Sequence, residues 1–316
     1  MIATGVSGTR LWVVVGATGT GKSAFSLDLA EALARSGRGA EIVNADAMQV
    51  YRGMDIGTAK IPVDARRGIP HHLFDELDVT EDAAVAWYQP RARHLISEIS
   101  SRGHDTILVG GSGLYVSSVI HDFRFPPRDD AARARWEAEL DRSGPGLLYA
   151  HLRDRDPDTA ARIDPKNGRR IVRALEILDQ GEATHGASLP DAPTLWREDT
   201  RLIGLSSPRD ELVARLDARV RQMWRDGLLE EVRALRARGW DRGTTARRAI
   251  GYAQAAEEID GLLTRDEAIA RTQALTRRYA RRQVSWFRRY EGLRWQEQGV
   301  DASVVLDDPG AHGSPA

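Results

Sequence analysis

Apolar residues along this chain recur at two different periods. Leu11-Trp12-Val13-Val14-Val15 is an unbroken apolar run rich in β-branched residues, which predicts a strand buried on both faces. Soon after it, Ala24, Phe25, Leu27, Leu29, Ala30 and Leu33 recur at the spacing of one helix face. Ala40-Glu41-Ile42-Val43-Asn44-Ala45-Asp46 and Leu202-Ile203-Gly204-Leu205 repeat the strand signature. Asp105-Thr106-Ile107-Leu108-Val109 does so too, and runs into the glycine turn Gly110-Gly111-Ser112-Gly113. Helical patterns separate these strands. Strands alternating with helices predict an α/β fold, a parallel sheet flanked by helices on both faces. Ligands of such sheets bind beyond the carboxyl ends of the strands. That rule brings residues 16–23, Asp46 and Ser112 to one edge, although they are far apart in sequence.

The pattern changes between about residues 121 and 199. Pro126-Pro127 opens the segment, and charged helical stretches follow at Asp129 to Leu140 and Gly168 to Leu178. Gly144-Pro145-Gly146, Asp156-Pro157 and Asp164-Pro165 break them, and Gly186 to Pro193 has the composition of a linker. The expected organisation is a core of residues 8–120 and 200–298, a helical insertion of 121–199, and a flexible tail of 299–316 rich in Asp, Pro and Gly.

Composition narrows the class. A chain of 316 residues, 41% hydrophobic and 29% charged, suits a globular protein of two domains. It has no cysteine, which excludes disulfides and thiolate metal sites. No apolar run approaches the roughly 20 residues of a membrane span, and the N-terminus lacks the layout of a secretory signal, so no membrane partner and a cytoplasmic location are expected. The net charge of −1 conceals an asymmetry. Residues 201–298 hold 21 arginines, no lysine and 14 acidic residues, an excess of seven positive charges. Ala268 to Tyr290 holds seven arginines and no acid. On a helix, Arg271, Arg278, Arg282 and Arg289 fall in one line with Arg277, Arg281 and Arg288 beside it, and Leu275, Tyr279, Trp286, Phe287 and Tyr290 are expected opposite. Like charges repel one another unless an anion neutralises them, and the planar fork of arginine suits phosphate. Nucleic acid or a polyphosphate is the expected partner.

Candidate chemistry begins with Gly16-Ala17-Thr18-Gly19-Thr20-Gly21-Lys22-Ser23, which matches the phosphate-binding loop G-x-x-x-x-G-K-[ST] at every fixed position. Backbone N–H groups curl around phosphate oxygens there, Lys22 adds a point charge, and the Ser23 hydroxyl is a candidate Mg²⁺ ligand. At the end of a strand, Asp46 can serve as a base, a Mg²⁺ ligand or a helix N-cap, and its position alone does not choose. Gln49 carries a donor and an acceptor suited to a base edge. Ser112 is a candidate donor to a leaving oxygen. His71-His72 has no third ligand nearby and is expected to be structural. Asn167, Arg169, Arg170 and Arg173 form a basic patch opening a helix. The run Tyr51 to Lys60 follows neither helical nor strand periodicity. Three classes remain open on the residues alone: a small-molecule kinase with ATP in the loop, an NTP-driven switch, and a group-transfer enzyme with a diphosphate donor and an RNA acceptor. A GTP switch would carry an Asn/Thr-Lys-x-Asp signal, which is missing, and a small-molecule kinase has no need of the seven-arginine helix.

Taken together, these segments resemble the tRNA dimethylallyltransferase (tRNA isopentenyltransferase) family. The matching segments are Gly16–Ser23, Asn44-Ala45-Asp46, Gln49–Lys60, Pro70–Leu73, Val109–Tyr115, Arg169–Glu176, Gly227–Val232, Ala249–Tyr252 and Arg282–Phe287. The resemblance implies a P-loop NTPase-like core and transfer of a dimethylallyl group from dimethylallyl diphosphate to N6 of the adenosine 3′-adjacent to the anticodon, tRNA position 37. It implies that Gly16, Ala17, Thr18, Gly19, Thr20, Gly21, Lys22, Ser23 and Arg219 hold the diphosphate with Mg²⁺, that Asp46 is the base, and that Ser112 stands near the bridging oxygen. It implies contact of Asp46, Ala47, Met48, Gln49, Ser112, Arg133, Arg169, Arg170, Ile171, Val172, Arg173, Arg248, Ala249, Ile250, Gly251, Tyr252 and Ala253 with the anticodon stem-loop. A monomer of the short, bacterial-type form is the expected state. The chain departs from the family pattern at Ala47, where serine is usual, at Ser112, where threonine is usual, at Arg281, where lysine precedes Arg282-Gln283, and at Ala253, where a polar residue is common.

Overall fold

The computed structural model describes residues 8–123, 125, 126, 128–181 and 194–306. Its sheet is built on β1 (Leu11–Gly16), which is buried along its whole length. β4 (Asp105–Gly110) and β5 (Thr200–Ser206) pair with it in parallel. β2 (Ala40–Asn44) lies beyond β4, and the two-residue β3 (His71–His72) forms that edge. β6 (Arg294–Glu297) pairs with β5 at the other edge. The order is β3-β2-β4-β1-β5-β6. The chain pattern predicts the four inner strands. It misses β3 and β6, whose few residues are only half-buried or exposed and carry no apolar run.

Alternate strand residues enter different cores, as the two-residue period of a strand requires. Leu11, Val13 and Val15 join Val43, Leu108 and Leu202 on one face. Trp12 and Val14 join Ile42, Ile107 and Ile203 on the other. α1 (Lys22–Arg35) covers the second face through Phe25, Leu29 and Leu33. α2 (Val85–Ser101) and α3 (Gly113–Ile120) cover the first. His71 bonds through Nδ1 to Ile69 O at 2.7 Å, and His72 Nε2 lies 2.7 Å from buried Glu41.

A second compact unit spans residues 121–195. It contains α4 (Asp130–Arg155), kinked at Gly144 where φ is 75°, α5 (Pro157–Ala160) and α6 (Gly168–Asp179). Asp129 caps α4 by accepting from Ala131 N and Ala132 N, and Asn167 caps α6. Leu148, Leu152, Ile163, Ile171, Val172 and Leu175 form its own core. The boundary falls at residue 195 rather than 199, because Trp196 packs into the core of the first unit and Arg197 bonds Ser100 Oγ there at 2.9 Å. The expected linker 186–193 lies outside the described residues.

After β5 come α7 (Arg209–Arg225), α8 (Leu228–Ala237), α9 (Tyr252–Ile259) and α10 (Arg265–Phe287). The stretch expected to fray from residue 299 is packed as far as 306. Asp301 caps a 3₁₀ turn at Ala302–Val305, and Ala302 and Val305 bury against the α1 face of the sheet. Residues 307–316 lie outside the described residues. Among the described residues, no helix is long and apolar enough to cross a membrane.

Candidate active site

The turn between β1 and α1 is an anion cradle. Gly19 and Gly21 both have φ of 84°, a conformation that side chains with a Cβ rarely adopt. Gly21 caps α1 with no side-chain hydrogen bond, and the first turn of the helix holds no acid. No side chain of this turn therefore competes with an anion for its N–H groups. Lys22 Nζ donates to Gly16 O at 3.1 Å and to Ala17 O at 2.8 Å. Burial brings the Lys22 ammonium down to about pKa 8; the Asp46 carboxylate works against the shift, and Arg219 adds to it. The lysine is thus held in a site that gains most from a bound anion.

Asp46 leaves β2 and turns toward this cradle. Asn44 Oδ1 accepts the Asp46 N–H at 3.0 Å, and Asn44 Nδ2 donates to Leu73 O at 2.9 Å, so one buried amide fixes the backbone before the carboxylate. Asp46 Oδ1 accepts the Met48 N–H at 2.9 Å, closing a turn instead of capping a helix. Ser112 comes from the turn after β4 and accepts the Ala47 N–H at 3.0 Å. The Tyr279 hydroxyl is hydrogen-bonded to the same Ser112 side chain.

Two cavities meet at this point. One, of about 300 Å³, is lined by the loop residues Thr18, Gly19, Gly21, Lys22 and Ser23 with Asn44, Gln49, Arg215 and Gln298. The other, of about 320 Å³, is lined by Met48, Ser112, Met223, Tyr252 and Tyr279 with Arg248 and Arg282. Thr18, Asp46, Thr58 and Arg219 line both. Arg219 Nη2 donates to Thr18 Oγ1 at 2.6 Å, and burial lowers its pKa while the Asp46 carboxylate opposes the shift. The first cavity is cationic at Lys22, Arg215 and Arg219, beside an apolar wall of Ile42, Ile61, Phe74 and Val109. The second is largely apolar, with arginines at its walls.

The other anticipated residues fall into distinct environments. Ala47, Met48, Arg248, Ala249, Ile250 and Tyr252 line the second cavity. Gly251 caps α9 with φ of 93°, and Ala253 sits in its first turn. Gln49 Nε2 donates to Thr58 O at 3.0 Å, so its amide group braces the 49–59 loop, and its place is the first cavity. Arg133, Arg169, Arg170, Ile171, Val172 and Arg173 belong to the 121–195 unit. One expectation there needs correction. Ile171 and Val172 are 0% and 1% exposed, because they sit on the apolar stripe of α6, and their side chains cannot touch RNA. Arg173 is paired with buried Glu176 and donates to Pro126 O at 2.7 Å, with its side chain partly exposed. Arg133 also bonds Glu137, at 2.9 Å, while Arg169 and Arg170 are exposed.

These features converge on one family. The model of the IPP transferase family matches residues 49–290. The chain belongs to the IPP transferase family. It is 58% identical over 283 residues to a tRNA dimethylallyltransferase of Clavibacter sepedonicus, covering 89% of this chain and 91% of that one. It is 61% identical over 248 residues to one from Leifsonia xyli, covering 78% and 94%. Among solved structures it resembles a full-length tRNA isopentenylpyrophosphate transferase of Bacillus halodurans, with 40% identity, a TM-score of 0.66 and coverage of 92% and 90%. A eukaryotic dimethylallyltransferase acting on tRNA is similar at a TM-score of 0.77 and 28% identity, with coverage of 96% and 76%.

Other residues shape this site, of which Arg215 and Glu231 carried no individual signal in the sequence. Arg215 stands one turn before Arg219 on α7, donates to Ser207 Oγ at 2.8 Å and lines the phosphate cavity with Gln298. Glu231 on α8 accepts from Asp55 N, Ile56 N and Gly57 N and from the Tyr252 hydroxyl, clasping the 55–57 loop to the second cavity. Lys60, 4% exposed at its side chain, pairs with Asp55 and Asp75 at 2.6 Å each and donates to Tyr51 O, which explains the aperiodic 51–60 run as a locked loop. α10 also differs from its expected profile. Phe287 is buried as expected, but the other buried positions are small or polar: Ala268, Thr272, Gln273, Thr276, Ala280 and Gln283. Arg277 pairs with Asp217 at 2.7 Å, and Arg271 lies 3.6 Å from Glu257. Arg278, Arg281, Arg282, Arg288 and Arg289 are exposed.

Proposed function

We propose that this chain transfers a dimethylallyl group from dimethylallyl diphosphate to N6 of the adenosine at tRNA position 37, giving N6-(dimethylallyl)adenosine and diphosphate. The observation that carries this is the junction of a cationic, loop-lined cavity with a largely apolar, arginine-edged one at Asp46, Thr18 and Arg219. The cationic cavity suits the diphosphate. The apolar cavity suits an isoprenoid chain and an adenine, and the exposed arginines of α10 suit the RNA backbone. A base buried in a site of this kind has left the stack of the anticodon loop.

The chemistry then follows from placement. The allylic C–O bond breaks as the C–N6 bond forms, and negative charge grows on the departing diphosphate. Lys22, Arg219 and the loop N–H groups meet that charge. Ser112 directs its O–H to the bridging oxygen. Asp46 takes the proton that N6 releases. Ser23, exposed at the start of α1 and lining the same cavity, would hold Mg²⁺. Because the described residues contain no group of three acidic or histidine ligands, the remaining coordination would come from the donor and water. That ion would supply Lewis-acid stabilisation of the leaving group. A tRNA acceptor suits the expected cytoplasmic location.

Unmodified anticodon stem-loop RNA is incubated with Mg²⁺ and either dimethylallyl diphosphate or ATP, and the digested nucleosides are weighed by mass spectrometry. A dimethylallyl gain on adenosine with the diphosphate donor alone is the expected result. Phosphate released or transferred from ATP, with no gain on RNA, would replace the proposal with a kinase.

A further inference from the structure

One buried side chain joins the two halves of the reaction centre. Gln283 on α10 is 4% exposed. Its Oε1 accepts the Thr18 N–H at 2.8 Å, and its Nε2 donates to Gly111 O at 2.8 Å. A single amide therefore ties the phosphate loop to the turn that carries Ser112. The fit is close, since a methyl group on Gly111 would stand 2.2 Å from Gln283 Nε2. From Ser112 the chain of bonds continues to the Ala47 N–H, next to Asp46.

The tie matters because both turns are intrinsically soft. The loop bends at Gly16 and Gly19, both at positive φ, and the Ser112 turn is flanked by Gly111 and Gly113. Glycine leaves a backbone many conformations to choose among. Pairing of β1 with β4 ends at Val15 and Gly110, just before either turn begins. Beyond that point the amide of Gln283 bonds the peptides on both sides. It also holds Thr18, whose hydroxyl is engaged by Arg219.

We infer that Gln283 is a positioning residue for group transfer, setting the separation between the diphosphate held by the loop and the Ser112–Asp46 pair. The inference rests on the transferase proposed above. Transfer requires the breaking C–O bond to point at the acceptor nitrogen, and a 1 Å misplacement costs about 10²-fold in rate. Binding of either substrate by itself does not need the two turns in register.

Steady-state transfer to anticodon stem-loop RNA tests this with wild type, Gln283→Leu and Gln283→Glu. Leucine removes both bonds, and the hydrogen bond of the Gln283 amide with the titratable Tyr279 hydroxyl one turn earlier on α10, at similar volume. The expected result is a fall in kcat of about 10²-fold with both KM values within about threefold, the pattern of a group that acts on the transition state. Glutamate accepts from Thr18 N–H but opposes Gly111 O when ionised, and restores both bonds when protonated. The activity of Gln283→Glu relative to wild type is therefore expected to rise as pH falls. A residue needed only for folding would change the active fraction and the melting temperature, and would not give that pH dependence. If Gln283→Leu does not fold, the pH ratio of Gln283→Glu decides alone. A kcat within about threefold of wild type, a loss confined to the donor KM, or a pH-independent ratio overturns the inference. Wild-type protein that leaves the RNA unmodified would instead remove the transferase proposal itself.

Discussion

Gly110→Ala adds one methyl group at the place where the sheet hands over to the site. Gly110 ends β4, and a Cβ there would stand 2.2 Å from Ala45 O, 2.4 Å from Ala45 C and 2.8 Å from Ala45 Cα. All three are backbone atoms, so no side-chain rotation relieves the overlap. Normal van der Waals separation is about 3.5 Å, so Ala45 must retreat by about 1 Å. Ala45 is fully buried, and its N–H is bonded to Val109 O at 2.8 Å. The strain therefore passes to its neighbours, Asp46 directly and Ser112 through the Ser112 N–H to Ala45 O contact. Overpacking of this kind costs about 1–3 kcal/mol. For a unit of this size the melting temperature falls by about 3–10 °C. Displacing Asp46 by about 1 Å lowers turnover by about 10²-fold. The assay is single-turnover transfer at saturating donor and RNA, well below the melting transition, beside a thermal melt. Gly146→Ala is the control: its new methyl meets nothing within 4 Å, and it is expected to be neutral or stabilising. A Gly110→Ala protein with wild-type rate and melting temperature would refute the claim that β4 and the Asp46 segment are in fixed contact.

Asp46→Asn keeps an acceptor for the Met48 N–H but removes the base. Turnover is expected to fall by about 10²–10⁴-fold with RNA affinity within a few-fold, and undiminished turnover would remove the base assignment. Lys22 titrates near 8 in the free protein because burial outweighs the pull of Asp46, and a bound diphosphate raises that value again. Donor affinity should thus be full below about pH 8 and weaken above it by up to tenfold per pH unit, read by calorimetry with dimethylallyl diphosphate. Gly-loop binding that stays constant to pH 9.5, or the same slope in Lys22→Met, would contradict this. Glu231→Gln turns an amide toward the three loop N–H groups of residues 55–57; a loss of about 2 kcal/mol and weaker RNA binding are expected in melts and binding titrations. An unchanged melting temperature would show that the clasp contributes nothing.

What the sequence determined by itself is whatever depends on neighbours along the chain. The β1 run, the glycine loop and the α1 stripe specify strand, anion cradle and helix within 25 residues, from Leu11 to Arg35. The alternation of strands and helices gives the parallel sheet, and the rule of carboxyl edges brings Lys22, Asp46 and Ser112 together as observed. What only the tertiary structure decided depends on partners far away in the chain. Glu231 is an unremarkable acid on a helix until residues 55–57 dock on it. Gln283 gains its place from Thr18 and Gly111, 265 and 172 residues distant. Arg173 and Arg169 look alike in sequence, but buried Glu176 pairs with the first, while the second is exposed. The physical reason is that periodicity reports which side of an element is buried, whereas a hydrogen bond or ion pair is set by the group it meets there. The packed face of α10 follows the same logic. The Gln283 amide bonds at Gly111 and the Trp286 ring packs at Gly113, two close approaches that only a residue without a Cβ permits.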